Sequence, residues 1–148
     1  MTMGFRIVAV SALLLGGLGV ASAQDDPIGQ RRAILKGFGE ATKPIAGMLK
    51  GETPFDNASV QKALATYAEG AKKLPGLFPD NSRTGGETAA LPKIWDDKAK
   101  FVGIYGKLGA DATAASAAIT DETSFKANIG KVLGNCKACH DDYRAKKN

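Results

Sequence analysis

The two cysteines and the one histidine of the 148-residue chain fall within five consecutive residues, Cys136-Lys137-Ala138-Cys139-His140. Cysteines three apart on a helix project their thiols from the same side, and a histidine four residues after the first lies one position further round. Two such thiols can form thioethers with the vinyl-derived carbons of one porphyrin, while the imidazole binds its iron. The motif therefore predicts one haem c, attached through Cys136 and Cys139, with His140 as the metal ligand.

Three other uses of this motif each lack a required part. A thioredoxin-like dithiol lies at the N-terminus of a helix in an α/β fold, whereas these cysteines lie near the end of a long helix. Structural zinc needs four ligands, and two cysteines and one histidine supply three. A disulfide across two intervening residues closes a very short loop and stabilises little, even in an oxidising compartment. Haem attachment remains the best interpretation.

The N-terminus has the pattern of an export signal. Arg6 precedes an apolar run over residues 7–20 and then Ala21-Ser22-Ala23, a small-residue pattern suited to cleavage after residue 23. The run of about 14 residues is too short for a membrane span of roughly 20. We therefore predict a cleaved signal peptide at residues 1–23, a mature domain at residues 24–148 in the periplasm, and no membrane span after cleavage.

Length and charge restrict the mature chain further. Its 125 residues suffice for one domain with a core but not for two. Loss of Arg6 lowers the formal charge from +5 to +4, and the basic residues are spread along the chain. Because nucleic-acid binding needs a dense basic stripe, the sequence predicts no nucleic acid as a partner.

Apolar residues recur at helical spacing in four segments separated by turn signals. The first runs from Ile28 to Leu49 and carries Arg31 on its apolar stripe. A loop over residues 51–57 precedes the second helix, which Asn57 or Ser59 can cap and which ends before Pro75.

The third and fourth helices follow the longest predicted loop, residues 78–87. The third is expected over about residues 92–110, and the aromatic Trp95, Phe101 and Tyr105 are interpreted as its core side chains. The last begins at Thr120 or Asp121 and carries the Cys-x-x-Cys-His motif. No segment alternates as a strand does. The predicted fold class is all-α, an antiparallel up-down-up-down four-helix bundle with covalently bound haem.

The mature chain resembles cytochrome c′, a family of class II c-type cytochromes, from end to end. The resemblance implies a periplasmic four-helix bundle, commonly a homodimer, whose five-coordinate, high-spin haem binds nitric oxide and carbon monoxide on its open face. The matching stretches are Arg31-Arg32-Ala33-Ile34-Leu35-Lys36, Lys50-Gly51-x-x-Pro54-Phe55-Asp56, Leu77-Phe78-Pro79, Glu87-Thr88-x-Ala90-x-Pro92-x-Ile94-Trp95 and Cys136-Lys137-Ala138-Cys139-His140-Asp141-x-Tyr143-Arg144.

The resemblance also bears on the sixth iron ligand. Low-spin relatives carry a ligating methionine where this chain has Leu35, a hydrocarbon side chain with no lone pair to donate. Met48, the one methionine after the signal, lies 13 residues further on, roughly 20 Å along a helix. The iron is therefore expected to keep one face open and apolar, with Leu35 above it.

Further residues are expected at the haem edge. A buried Arg31 on an apolar stripe needs a carboxylate partner, which a haem propionate supplies, unless the side chain extends to solvent. The resemblance implies that Arg32 also serves the propionates, that Glu87 and Thr88 line the haem edge, and that Arg144 lies beside the iron ligand. From spacing alone, Glu87 and Thr88 equally fit a helix cap, and Arg144 equally fits a basic C-terminal tail.

Two functions of different kinds remain open at this stage. The first is a haem protein that binds the gases nitric oxide and carbon monoxide, with Leu35 on the distal side. The second is a one-electron carrier that serves a redox partner protein. A carrier gains from two strong axial ligands and this chain provides one, which favours gas binding. Enzyme activity is not predicted, because no distal histidine is present to move protons.

Overall fold

The computed structural model describes residues 26–146, and the predicted signal peptide lies outside this range. Four long helices form an antiparallel bundle, which confirms the all-α fold class. No helix within residues 26–146 combines the length and the apolar composition needed to cross a membrane. The α-helices are α1 (Pro27–Lys50), α2 (Asn57–Lys73), the short α3 (Lys93–Asp96), α4 (Lys98–Ala118) and α5 (Glu122–Tyr143), with 3-10 turns at Leu74–Leu77 and Asp80–Ser82.

Local signals define both ends of α1. Asp26 caps the first turn, where its carboxylate accepts the amide of Gly29 at 2.8 Å, and Pro27 takes the first helical position. At the other end Gly51 adopts a left-handed conformation with φ of 73°, which a residue without a Cβ reaches at little cost. The helix therefore covers the range that its apolar periodicity predicts.

Helix α2 is capped one residue earlier than predicted. The carboxylate of Asp56 accepts the amides of Ala58 at 3.1 Å and of Ser59 at 3.3 Å, so Asp56 is the cap. The prediction of Asn57 or Ser59 is wrong because Ser59 is a partner of the cap: its hydroxyl also donates to Asp56, at 2.6 Å. A carboxylate here is further favoured by the positive end of the helix dipole.

The predicted third helix, residues 92–110, is two helices in the structure, α3 and α4, and the second extends beyond the predicted end. The chain leaves helical geometry at Asp97, with φ of −126° and ψ of 44°, and α4 then continues to Ala118. The predicted end is too early because the sequence beyond it is rich in alanine, the strongest helix former. Ala112 and Ala115 are also buried, so this extension contributes to the core.

Helix α5 carries the Cys-x-x-Cys-His motif and begins as predicted. Asp121 and Ser124 form a reciprocal capping box, in which each side chain bonds to the other's backbone amide. The helix then continues without interruption to Tyr143, so the motif lies in its last two turns.

The end of α5 is tied to the segment before α3 and to the start of α4. The amide of Leu91 donates to the carbonyl of Tyr143 at 3.0 Å, and the amide of Ala145 donates to that of Ala89 at 2.8 Å. The hydroxyl of Tyr143 in turn donates to Asp97 at 3.0 Å. These bonds hold the last turn of α5, and with it the motif, at a defined place on the bundle.

The bundle is closed along three helix pairs and open along the fourth. Helix α1 packs on α2, α2 on α4, and α4 on α5, whereas α1 and α5 are not among the main packing pairs of the described residues. A cavity lies between these two helices. The rest of the interior is filled by apolar side chains that include Ile45, Val60, Leu64, Tyr67, Phe125 and Ile129.

Gly70 lies where α2 packs against α1. A Cβ added there would lie 2.3 Å from Phe38 Cε1 and 2.8 Å from Ile34 Cγ2. Gly70→Ala is expected to lower the free energy of unfolding by up to about 2 kcal/mol, because an overpacking cost of about 1–3 kcal/mol outweighs the roughly 1 kcal/mol by which alanine exceeds glycine in a helix. Guanidinium unfolding followed by circular dichroism measures this change.

Gly103→Ala is the matched control for this substitution. Position 103 is exposed on α4, and no atom lies within 4 Å of an added Cβ. The control should raise the free energy of unfolding by about 0.5–1 kcal/mol. A Gly70→Ala protein as stable as the control would show that α1 and α2 are not in close contact here.

A buried polar cluster joins α4 to α5 directly before the motif. Asn135 Nδ2 donates to Asp111 Oδ2 at 2.8 Å, and Lys107 and Lys131 pair with the same carboxylate. The hydrogen bond from Lys107, followed by the one from Asn135, lowers the pKa of Asp111 to about 2.

This lowered pKa makes Asp111 a source of acid sensitivity. Its contribution to stability is complete above its ordinary pKa of 3.8 and is lost as the pH falls towards about 2. Asp111→Asn removes this titration. Between about pH 5 and pH 2, the free energy of unfolding of the variant should therefore fall by roughly 1–2 kcal/mol less than that of the wild type. Urea titrations of both proteins across this interval measure the difference. Parallel pH profiles would contradict the assignment.

Candidate functional site

A cavity of about 530 Å³ lies between α1 and α5, with an apolar interior. Aromatic rings form much of its wall. The ring centroid of Phe101 lies 4.7 Å from that of Phe78 and 5.2 Å from those of Tyr105 and Tyr143. Ile94 completes this wall. The edge-to-face arrangement of the rings is a favourable packing geometry.

Eight of the nine predicted site residues line this cavity. They are Arg31, Arg32 and Leu35 from α1, Glu87 and Thr88 from the segment before α3, and Cys139, His140 and Arg144 from the end of α5. The exception is Cys136, which is half-buried one turn earlier on α5 and does not line the cavity. Three distant parts of the sequence thus converge on one site.

His140 lines the cavity, and Arg144 is the charged side chain that lies against its ring. Arg144 Nη1 lies 3.4 Å from His140 Nε2, as their spacing of four residues on a helix leads one to expect. Burial, followed by the positive charge of Arg144, lowers the pKa of His140. The imidazole is therefore neutral at physiological pH and keeps a lone pair for a metal ion.

Both cysteine thiols are free. Burial raises the pKa of Cys136 and raises that of Cys139 to about 11. Redox-active dithiols and zinc sites use thiolates, which a lowered pKa favours. Within residues 26–146, no group of three or more His, Cys, Asp and Glu side chains could hold a metal ion. The surroundings of the thiols therefore disfavour the dithiol and zinc alternatives.

Arg31 is only 2% exposed, so its side chain does not extend to solvent. Its terminal nitrogens donate to Leu77 O at 3.1 Å, Ser82 Oγ at 2.8 Å, Ser82 O at 3.0 Å and Thr88 Oγ1 at 2.7 Å. None of these acceptors is a carboxylate. Carbonyl and hydroxyl oxygens satisfy the guanidinium in this structure, and the pairing of Arg31 with a haem propionate stays a prediction.

Arg32 and Leu35 lie at the mouth of the cavity. Arg32 pairs with Glu87, and the two side chains remain 51% and 79% exposed. Leu35 is 37% exposed and, with Leu49, is one of two large apolar residues at the surface of the described range. An apolar side chain left exposed on a cavity wall is typical of a surface that a bound ligand covers.

Several residues of the wall escaped sequence reasoning. Phe101 and Tyr105 were expected to be plain core, and they are buried but also line the cavity. Tyr143 had a usable signal, because it follows Cys139 by four residues and therefore shares its helix face. Phe78 had no periodicity signal, because it lies outside the helices, where spacing does not show which way a side chain points.

Comparison with known proteins agrees with this geometry. Residues 26–144 match the family described as cytochrome C′. A cytochrome c′ from Rhodopseudomonas palustris is 64% identical over 145 residues, which cover 98% of this chain and 99% of the relative. A cytochrome c-556 from Agrobacterium fabrum is 35% identical over 148 residues, 98% of this chain and 100% of the relative. The solved structure of a Rhodopseudomonas palustris cytochrome c′ superposes with a TM-score of 0.82 at 68% identity, covering 83% of this chain and 98% of that one.

The chain belongs to the cytochrome c′ family, and its cofactor is haem c. The residues present fit that group: two neutral thiols for thioethers, one neutral imidazole for the iron, and an apolar wall for the porphyrin. The side chains of Arg32, Lys36 and Arg144 make the rim of the cavity basic, which suits two propionates. When bound, the haem would supply an iron that can change oxidation state.

Attachment through both cysteines can be tested directly. After acid–acetone extraction, the wild-type polypeptide should retain all its haem and Cys139→Ser should retain less. The double variant Cys136→Ser/Cys139→Ser should lose all its haem. Lys137→Ala, an exposed position between the anchors, should retain haem as the wild type does. Release of all colour from the wild type would show that the thioethers do not form.

Proposed function

We propose that this chain is an exported, periplasmic cytochrome with one five-coordinate, high-spin haem, which binds the diatomic gases nitric oxide and carbon monoxide on an open apolar face. His140 is its single protein ligand, and Leu35 covers the other face. The role is binding rather than catalysis, because no second histidine exists to transfer protons.

The observation that carries the proposal is the position of Leu35. It lies on α1 and lines the same cavity as His140 on α5, and it is exposed to that cavity rather than packed in the core. Within the described residues 26–146, no methionine and no second histidine lines the cavity. Lys36 does, but a lysine side chain there suits an anionic propionate better than the iron.

Met48 is unavailable as a sixth ligand. It is 4% exposed, it does not line the cavity, and its sulfur accepts the amide of Asp56 at 3.2 Å. The thioether is thus engaged at the turn between α1 and α2. An iron held by His140 therefore has no strong protein donor opposite, which supports five-coordination.

Export and assembly complete the proposal. The pattern of residues 1–23 supports a cleaved signal peptide, and the family match begins at residue 26, just after the predicted cleavage point. Homodimer formation rests on the resemblance to the family. N-terminal sequencing of the exported protein and sedimentation equilibrium test these two statements separately.

One-electron transfer to a redox partner is the second candidate function. The basic rim formed by Arg32, Lys36 and Arg144 favours it, because such a rim would attract an acidic partner surface. The single strong axial ligand disfavours it, since a carrier benefits from unchanged coordination during electron transfer. Gas binding therefore remains the better supported function.

Substitutions of Leu35 separate the two functions. Leu35→Ala should open the distal side and raise the rate of carbon monoxide binding to the ferrous protein about tenfold or more, equivalent to roughly 1.4 kcal/mol of barrier. Leu35→Met should instead supply a thioether and shift the spectrum towards six-coordinate, low-spin iron. Because Leu35 is 37% exposed, its truncation should cost less than the 2–5 kcal/mol of a fully buried leucine. Stopped-flow and optical spectroscopy measure both effects.

Leu49→Ala provides the matched control. Leu49 lies on the same helix with a similar exposure of 41%, but it does not line the cavity. Its truncation should leave the rate and the spectrum unchanged. If carbon monoxide binds both Leu35 variants at the wild-type rate, with an unchanged ferrous spectrum, Leu35 is not the distal residue and electron transfer becomes the better proposal.

A further inference from the structure

Tyr105 separates the cavity from a second depression on the far side of the bundle. Its ring lines the cavity between α1 and α5 and also borders a groove of about 540 Å³ between α2 and α4. The other residues of that groove are mostly small and include Ala68, Ala71, Gly106 and Gly109. The groove side of the ring is therefore only lightly packed, and other contacts must fix its position.

Two interactions fix the side chain of Tyr105. Its ring packs edge-to-face on that of Phe101, with the two centroids 5.2 Å apart. Its hydroxyl is hydrogen-bonded to the thiol of Cys139. A phenol O–H is a good donor and a thiol S–H is a weak one, so the hydroxyl donates and the sulfur accepts. Because Tyr105 is only 4% exposed, water does not compete readily for this hydroxyl.

The two cysteines of the motif differ in this respect. Cys139 lines the cavity and has the hydroxyl of Tyr105 as a partner. Cys136 lies one turn earlier and does not line the cavity, and among residues 26–146 its thiol is hydrogen-bonded to a backbone group alone. The sequence motif gives the two thiols equal roles, whereas the fold gives only one of them a side-chain partner.

This difference bears on the bond that each cysteine forms. In thioether formation the sulfur bonds to one carbon of a vinyl group and the thiol proton passes to the other carbon, so nothing is oxidised or reduced. The sulfur must therefore lie at the cavity with its S–H directed at the vinyl group. A donor such as Tyr105 restricts the position of the sulfur through a lone pair and leaves the S–H of Cys139 free to react.

We propose that Tyr105 is a positioning residue for covalent attachment, whose hydroxyl holds the sulfur of Cys139 at the cavity and so makes Cys139 the better positioned of the two anchors. A thioether sulfur keeps its lone pairs, so the same hydroxyl also donates to it after attachment. The proposal requires haem c as the cofactor and is independent of whether the iron binds gases or transfers electrons.

Chains with a single anchor test this positioning role. In exported Cys136→Ser the haem attaches only through Cys139, and in Cys139→Ser only through Cys136. Tyr105→Phe removes the hydroxyl and keeps the ring. Added to Cys136→Ser, it should lower the ratio of haem-bearing to haem-free chains about two- to tenfold, the effect of one net hydrogen bond. Intact-protein mass spectrometry after acid–acetone extraction measures this ratio.

Two controls make the result specific. Added to Cys139→Ser, Tyr105→Phe should leave the ratio unchanged, because the remaining anchor does not use the hydroxyl. Tyr67→Phe should leave the ratio of Cys136→Ser unchanged, since Tyr67 is also buried but lies outside the cavity wall, with its hydroxyl 2.8 Å from that of Thr42. An unchanged ratio when Tyr105→Phe is added to Cys136→Ser, or an equal fall in either control, overturns the proposal.

A spectroscopic measurement keeps the test decisive if the single-anchor chains carry too little haem. Resonance Raman spectra of the haem-loaded protein with both cysteines report the C–S stretching bands of the two thioethers. One band should shift in Tyr105→Phe, because only one sulfur loses a hydrogen bond, and both should stay in place in Tyr67→Phe. Two unshifted bands in Tyr105→Phe would show that its hydroxyl does not hold the sulfur of Cys139.

Discussion

Two hydrogen bonds between helices bracket the Cys-x-x-Cys-His motif and fix α5 against α4. Asn135 donates to Asp111 just before the motif, and Tyr143 donates to Asp97 just after it. The two cysteines and the histidine predicted to ligate the iron lie on this one stretch of helix, so a shift or rotation of α5 would displace all three together.

The cavity wall opposite α5 is formed by α1, which is packed differently. Helix α1 does not pack tightly on α5, and the gap between them is the cavity. Leu35 remains exposed there, while Arg31 lines the cavity and donates hydrogen bonds to Ser82 and Thr88 in the segment before α3. The two side chains come from the same stretch of α1, four residues apart.

Much of the architecture could be predicted because it depends on local signals. The Asp121 cap, the glycine at the end of α1 and the helical spacing of apolar residues each act within a turn or two. The errors arose where a local signal had competitors. Asp56 replaced the predicted caps of α2, and α4 continued past residue 110, because alanine propensity and burial against neighbouring helices extended it.

The sequence by itself determined the haem-binding chemistry of this protein: two cysteines and one histidine held at spacings that a helix brings to one end of α5. Only the tertiary structure decided what the surrounding residues contact and how exposed they are. That Arg31 is satisfied by loop oxygens, that Leu35 stays exposed and that Cys136 lies outside the cavity wall depend on segments about 50 or more residues apart in sequence. Spacing along one helix shows which face a residue occupies, but not what approaches that face from elsewhere in the chain.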